Sequence, residues 1–526
     1  MSPSRAPLVA GAAVAVAAAV TLTVVVWPEG SGPGAGNGAS ASSRTSASPS
    51  PTRSYPLSSA PRTIPAVREH TAARGPGWKP AKDSTVVAAD PELADEAKLL
   101  AKELKIDYRG EKSARSGDVE LALAGKGDPE SYTLKTADNR VTISGPGQAG
   151  VFWGTRTLKQ SLNADDTVPE GVVRDTPDRP QRGLNLDIAR KHYTADWIED
   201  RLRMMADLKL NQLGLHFSDD QAFRIESDTH PEVVSEEHLT KAEVRRIVKL
   251  AQSLHITIVA EIDSPGHLGA VLKAHPDLQL RNTQGVARQG AVDISKAESA
   301  KIVDDLLTEY AELFPGNWFH VGADEYQALT VSDPAASYPQ LAEAARKKYG
   351  ADATVQDLTE GWLNDRAAVI TKAKKIPKAW NDGFFAGGTV AGDKGIEVEY
   401  WTGKEIGARP PQDYLAEGRK VINLNDEFLY YVLGEPNDFT YPTGERIYEQ
   451  WTPLVLRGTE PVAERYSKQI LGARFAVWGD FPNAQTQAQV AEGIRMPLNA
   501  LSQKVWDPRE PKLTWAQFQK LADETS

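Results

Sequence analysis

Eight short β-type runs recur from Arg182 onward, over residues 183–188, 212–217, 256–262, 318–322, 377–381, 397–401, 420–425 and 473–478. Helical stretches lie between most of them. The clearest covers 194–208, with Thr194 as N-cap and Trp197, Ile198, Leu202 and Met205 on one side. Another covers 241–254, where Ala242, Val244, Ile247, Val248 and Ala251 recur at helical spacing. Eight strands in α/β alternation over about 320 residues fit a closed (β/α)8 TIM barrel better than an open sheet, and no Gly-rich nucleotide turn follows the first run. A barrel of this kind collects its working side chains where the strands end.

The residues at those ends are polar or aromatic in every case. Asp187 and Arg190 follow the first run; His216, Asp219 and Asp220 the second; Glu261, Asp263 and His267 the third; His320, Asp324 and Glu325 the fourth. Trp380 and Asp382 follow the fifth, Trp401 the sixth, Asn425, Asp426 and Tyr430 the seventh, and Trp478 and Asp480 the eighth. One Asp after a strand is often only a helix cap, but repetition over eight strands marks a site. Carboxylates among indoles suit a carbohydrate: indole covers the apolar face of a sugar ring while carboxylates and Arg take its hydroxyls. Cleaving a glycoside needs a proton donor for the leaving oxygen and stabilisation of a cationic transition state. Asp324-Glu325 supplies two carboxylates, but neighbours on an extended strand point to opposite sides. The pair is therefore expected to serve different parts of one substrate. Tyr431 adjoins Tyr430, and a one-residue slip would exchange their faces.

The strings Leu186-Asp187-Ile188-Ala189-Arg190, His216-Phe217-Ser218-Asp219-Asp220, Glu261-Ile262-Asp263-Ser264-Pro265-Gly266-His267 and His320-Val321-Gly322-Ala323-Asp324-Glu325 together resemble glycoside hydrolase family 20, the β-N-acetylhexosaminidases and their relatives. Trp380-Asn381-Asp382-Gly383, Tyr400-Trp401, Leu429-Tyr430 and Trp478-Gly479-Asp480 resemble that family's later motifs in the same order. The resemblance implies exo-acting release of terminal N-acetylhexosamine by a retaining, substrate-assisted reaction in which the 2-acetamido oxygen attacks its own anomeric carbon. It implies Glu325 as general acid and base, Asp324 orienting the acetamido N–H, and Tyr430 donating to the acetamido oxygen. Trp380, Trp401 and Trp478 would wall the sugar, and Arg190, Asp219 and Asp480 would bind ring hydroxyls. Asp263 and His267 would form a dyad that tunes the proton affinity of Glu325. No cofactor and no metal is implied.

Two positions depart from the family pattern. Ala323 replaces a glycine usual before the Asp-Glu pair, and Asp480 stands where many members carry the longer Glu, which bears on sugar preference. Lacto-N-biosidase-like release of a disaccharide and hydrolysis of a poly-N-acetylglucosamine polymer lie within the same resemblance. Two readings from other classes are a metallohydrolase built on His216, Asp219, Asp263, His267, His320 and Asp324, and a catalytically silent surface glycan-binding protein. No compact two-His spacing supports the first, and retention of both Asp324 and Glu325 argues against the second.

Upstream of the barrel the composition divides the chain. Residues 8–27 are Ala, Val and Leu with only Thr21 and Thr23 as breaks, and no charge. A helix over this run would measure about 30 Å, enough to cross a bilayer. Residues 1–27 are thus expected to be a signal peptide or a membrane anchor, which places the rest of the chain outside the cytoplasm. Residues 28–77, rich in Gly, Ser, Pro, Ala and Thr, are expected to be a flexible linker. Residues 78–177 read as a small α+β domain without obvious chemistry, and 178–526 as the catalytic barrel. The formal net charge of −11 offers no phosphate-tracking surface, so nucleic acid is a poor partner. The chain has no cysteine, which excludes disulfides, thiolate catalysis and Cys-ligated zinc. The one partner the sequence names is a carbohydrate substrate; no protein partner is inferred.

Overall fold

The computed structural model describes residues 54–526 apart from Ile406. The apolar run 8–27 and the first part of the expected linker lie outside the described residues. Among the described residues no helix is long and apolar enough to cross a membrane.

The small domain is a seven-stranded mixed sheet. Its strand order is Glu69–Ala72, Gly171–Asp175, Tyr132–Ala137, Arg140–Gly145, Val119–Leu123, Thr85–Ala88 and Asp107–Tyr108. Helices Ala94–Leu104 and Gln148–Asp165 pack on it. The expected linker boundary at residue 77 is corrected here. Glu69–Ala72 pairs antiparallel with Gly171–Asp175, Pro61, Ile64 and Pro65 are buried, and the Ile64 N–H donates to Gln160 Oε1 at 2.7 Å. Composition averaged over the tract concealed these few apolar anchors, which bury enough area to order the chain around them.

Buried charge pairs fix this domain to the barrel. Arg156 meets Glu103 at 2.6 Å within the domain and Asp207 of the barrel at 3.3 Å. Arg182, at the start of the first barrel strand, reaches back to Glu130 at 2.8 Å.

The barrel strands, one to eight, are Gln181–Asp187, Gln212–His216, Thr257–Ser264, Trp318–Gly322, Ile376–Trp380, Glu397–Tyr400, Val421–Asn423 and Ile470–Trp478, all parallel. Pairing of strand seven with strand eight (Val421↔Ile470) and of strand eight with strand one (Gly472↔Gln181) closes the cylinder. The predicted (β/α)8 order holds, with one irregularity: strands five and six are joined by a loop containing only the 3-10 turn Asn381–Gly383. The best-formed barrel helices begin at side-chain caps. Thr194 accepts from the Trp197 N–H, and Thr240 with Glu243 forms a full capping box.

Strand seven is short, and a second piece, Tyr430–Val432, takes over its place beside the upper part of strand eight (Tyr430↔Ala476). That offset lifts Tyr430 to the height of the strand ends. Below it the barrel interior is charged. Lys378 lies 2.8 Å from Glu397 and 3.4 Å from Glu399, and Arg474 also pairs with Glu399. Burial brings Lys378 down to about 7 against the partial support of Glu397.

Candidate active site

Strand one delivers the first anchor. Asp187 Oδ1 accepts from the backbone N–H groups of Ala189 and Arg190, and its Oδ2 accepts from the Gly479 N–H at 2.9 Å. This ties the ends of strands one and eight together and aims Arg190. The Arg190 guanidinium meets Asp187 at 3.1 Å and Asp219 at 2.7 Å, with Trp478 beneath it at 5.5 Å. Burial works against its charge, but Asp219, Asp187 and Asp480 hold it firmly cationic.

Strands two and three supply a buried relay. His216 Nε2 lies 2.7 Å from Asp219 Oδ2 and its Nδ1 lies 3.2 Å from Glu261 Oε1. Burial opposes its protonation, but Glu261 and Asp219 prevail and raise it to about 10. His267 Nδ1 lies 3.2 Å from Asp219 Oδ1. Its Nε2 faces outward, 3.4 Å from Glu325 Oε2 and 3.6 Å from Asp324 Oδ2. Burial would neutralise His267, yet Asp219, Asp324 and Asp263 hold its pKa well above the usual imidazole range.

Two expectations are corrected by this geometry. Asp219 does not face the cavity: it is 1% exposed, and its oxygens meet Arg190, His216 and His267. It organises cations and is not placed to bind a sugar hydroxyl. The partner of His267 Nδ1 is accordingly Asp219 and not Asp263. Asp263 Oδ1 instead accepts from the Ala323 N–H at 3.0 Å, and burial together with neighbouring Asp324 pushes its pKa well up. Burial of both carboxyls side by side favours one shared proton over two full charges.

Strand four ends at Gly322, before the acidic pair. Ala323 and Glu325 take left-handed conformations, φ +87° and +49°. Asp324 and Glu325 therefore do not obey the alternation of an extended strand; both approach one imidazole and both line the cavity. A side chain on Gly322 would strike Asp263, and a Cβ on Gly383 would lie 2.6 Å from that of Ala323. Ala323 is thus accommodated by the absence of a side chain at 383. The Glu325 N–H donates to Asp382 Oδ2 at 3.0 Å, while Asp382 Oδ1 accepts from Trp401 Nε1 at 3.0 Å. The hydrogen bond from His267 draws the Glu325 carboxyl below its ordinary value, whereas burial raises Asp324.

Aromatic walls complete the site. Trp380 donates to Glu261 Oε1 at 2.8 Å and stands 5.9 Å from Trp478. Trp401 stacks on Tyr430 at 5.7 Å and 6°. Tyr430 lines the cavity, whereas Tyr431 turns away to stack on Tyr441 at 4.3 Å and to donate to Gln485. The enclosed space is about 820 Å³. It brings together Arg190, His267, the Asp324–Glu325 pair, Tyr430, the three Trp residues and, at the rim, Asp480. Asp480 is exposed at the rim.

Several residues that line the cavity carry no signal in the sequence pattern. Phe439 stacks behind Tyr430 at 6.3 Å, and Lys404 reaches Asp426 at 3.0 Å. They sit in irregular loops after strands six and seven, where no periodicity signals an inward side chain. Asp382 and Glu261 were placed at strand ends without a role; they prove to orient Trp401, Trp380 and the Glu325 backbone. Asp263, His267 and Asp324 also offer ligand atoms within 4.8 Å of one another. The same atoms face one another as ion-pair and hydrogen-bond partners in this network.

Comparison with known proteins places this geometry. Residues 180–509 match the profile "Glycosyl hydrolase family 20, catalytic domain", and residues 60–176 match "Glycosyl hydrolase family 20, domain 2". A lacto-N-biosidase of Bifidobacterium bifidum is 30% identical over 467 residues, which cover 86% of this chain and 40% of that protein. A beta-hexosaminidase of Porphyromonas gingivalis is 30% identical over 280 residues, 46% of this chain and 36% of the relative. The chain thus spans less than half the length of these two relatives. Among solved structures, the Vibrio harveyi GH20 exo beta-N-acetylglucosaminidase in complex with N-acetylglucosamine superposes with TM-score 0.72 at 20% identity, over 91% of this chain and 79% of that one. A mutant Streptomyces plicatus beta-hexosaminidase in complex with GlcNAc gives TM-score 0.71 at 22% identity, over 89% and 95%.

Proposed function

This chain belongs to glycoside hydrolase family 20, and from that premise we propose that it is an exo-acting β-N-acetylhexosaminidase. It would remove terminal N-acetylglucosamine or N-acetylgalactosamine from the non-reducing ends of glycans such as chitin fragments. The observation that carries this reading is the adjacent Asp324–Glu325 pair, which shares one imidazolium at the edge of an aromatic-walled cavity. A retaining enzyme with its own nucleophile places two carboxylates across the scissile bond, about 5 Å apart. Adjacent residues on one turn suit a different division of labour.

In this mechanism the sugar packs against Trp380, Trp401 and Trp478, with Arg190 and Asp480 toward its hydroxyls. Asp324 accepts the acetamido N–H, and Tyr430 donates to the acetamido oxygen. That oxygen forms a bond to C1 as the C1–O bond to the aglycone breaks, and Glu325 gives its proton to the leaving oxygen. The positive charge of the oxazolinium ion falls beside Asp324. Glu325, now a carboxylate, takes a proton from water as that water attacks C1, which restores the amide and the starting configuration. Glu325 is 39% exposed at its side chain and is drawn down by His267 in the free site. Covering it with sugar removes water, raises its proton affinity and prepares it as the acid.

A second reading, release of a disaccharide, is favoured by the rim. Asp480 is exposed at the edge of the cavity, which leaves room beyond the first sugar. A panel of p-nitrophenyl glycosides of GlcNAc, GalNAc, glucose and lacto-N-biose tests both readings. Preference for the N-acetylated monosaccharides supports the first, and preference for the disaccharide the second. Equal cleavage of the glucoside contradicts both.

We also propose export, with residues 8–27 as signal peptide or anchor; the support is their uncharged apolar run. Fractionation of the producing cells tests it, and activity confined to the cytoplasm contradicts it.

A further inference from the structure

We propose that His230, Glu232 and His275 form a zinc site apart from the catalytic cavity. His230 Nδ1 and His275 Nε2 each lie 2.9 Å from the same oxygen of Glu232, and the three ligand atoms fall within 4.8 Å of one another. The two rings stand nearly perpendicular, 86° apart with centroids at 6.3 Å, so that both nitrogens converge on one point. Two imidazoles and one carboxylate with room for a water are a donor set suited to Zn²⁺. Tetrahedral ligation sets N···O separations at about 3.3 Å, so Glu232 must withdraw by only a few tenths of an ångström. Its side chain is 43% exposed and free to do so.

A carboxylate stands behind one of the imidazoles. The far nitrogen of His230, Nε2, lies 3.3 Å from Asp305 Oδ2 on helix Ala297–Leu313. A carboxylate behind a ligating imidazole fixes the tautomer: the proton stays on the nitrogen facing Asp305 and the lone pair on the nitrogen facing the ion. The donors also come from a rigid base. His230 and Glu232 flank Pro231 at the start of the 3-10 turn Pro231–Val233, and His275 caps helix Gly269–Ala274. Val233, Leu268, Val271 and Leu272 are buried and hold these pieces in the core.

The location gives the site its consequence. His230 and Glu232 lie in the loop that follows strand two and Asp219; His275 closes the helix that begins just after His267. A bound ion ties together the two segments that carry the buried Asp219–His267 pair, and stabilises the folded chain by mass action.

The test is titration of the metal-free full chain with zinc chloride, by calorimetry and by thermal unfolding. One equivalent is expected to bind in the micromolar range or tighter, with a rise in melting temperature. His275→Ala and Glu232→Gln should each weaken that binding at least tenfold while keeping the metal-free hydrolytic rate. If His275→Ala fails to fold, Glu232→Gln, on a half-exposed side chain, decides. Unchanged affinity in the folded variants would overturn the site, as would no binding below about 100 µM. Loss of the equivalent in Asp324→Asn with retention in His275→Ala would place the ion in the cavity and overturn it as well.

Discussion

Asp219 Oδ1 faces His267 Nδ1 at 3.2 Å from a fully buried position, while the other nitrogen of the same ring looks out at Asp324 and Glu325. A carboxylate no substrate touches thus sets the charge of the imidazole that both cavity carboxylates share. Asp219→Asn should remove much of that charge. We expect kcat to fall roughly 10- to 100-fold with KM changed little, the range typical for groups behind a functional ligand. With the His267 cation weakened, Glu325 is drawn down less, so the basic limb of kcat/KM should move to higher pH. A pH–rate profile checks both; an unmoved limb with an unchanged kcat contradicts the relay.

Glu325→Gln keeps the size of the side chain and the Glu325 N–H bond to Asp382. Turnover of substrates with poor leaving groups should drop by about 10²- to 10⁴-fold, and substrates with activated leaving groups should lose much less in the first step. Circular dichroism and the melting temperature should stay close to wild type. Equal losses for both substrate kinds would remove Glu325 from the role of proton donor.

Tyr430 and Tyr431 separate by face. Tyr430→Phe should cost about 10²-fold in kcat, as expected for one hydrogen bond aimed at developing charge. Tyr431→Phe, on a ring stacked against Tyr441, should leave kcat near wild type and cost only stability. Steady-state kinetics of the two variants distinguish them, and the reverse pattern would mean the faces are exchanged.

Acid should loosen the barrel at Glu309. Burial raises its pKa, but Lys241, the Thr229 hydroxyl and the Asp228 N–H overcome this and hold it at about 2. A carboxylate depressed in the folded state stabilises above its unfolded pKa of about 4.5 and loses that contribution as pH falls toward 2. Glu309→Gln should therefore lower the melting temperature at pH 7 and flatten its decline between pH 5 and 2. A decline as steep as wild type contradicts this.

Much of the site was legible because a barrel brings its strand ends together whatever the intervening sequence. Asp324, Glu325, His267, Arg190 and all three Trp residues lie where their place after a strand put them. What failed was local geometry. Asp324 and Glu325 were read as alternating, but left-handed turns at Ala323 and Glu325 bring both to one ring. The resemblance implies Asp219 as a sugar ligand, but neither a shared motif nor a place after a strand tells a buried organiser from a lining residue. Phe439 and Lys404 sit in loops whose course no periodicity predicts. The ordered start at residues 54–77 was hidden because a few apolar anchors carry it through a tract otherwise rich in Gly, Pro and Ser.

The central claim is that the substrate's own amide oxygen displaces the leaving group. The most direct measurement compares kcat/KM for p-nitrophenyl N-acetyl-β-glucosaminide and p-nitrophenyl β-glucoside, followed by mass spectrometry of the enzyme quenched during turnover. The account predicts a preference of at least about 10³-fold for the N-acetylated sugar and an unmodified protein mass. Comparable rates on the plain glucoside, or a glycosyl ester on any carboxylate of the chain, would contradict it.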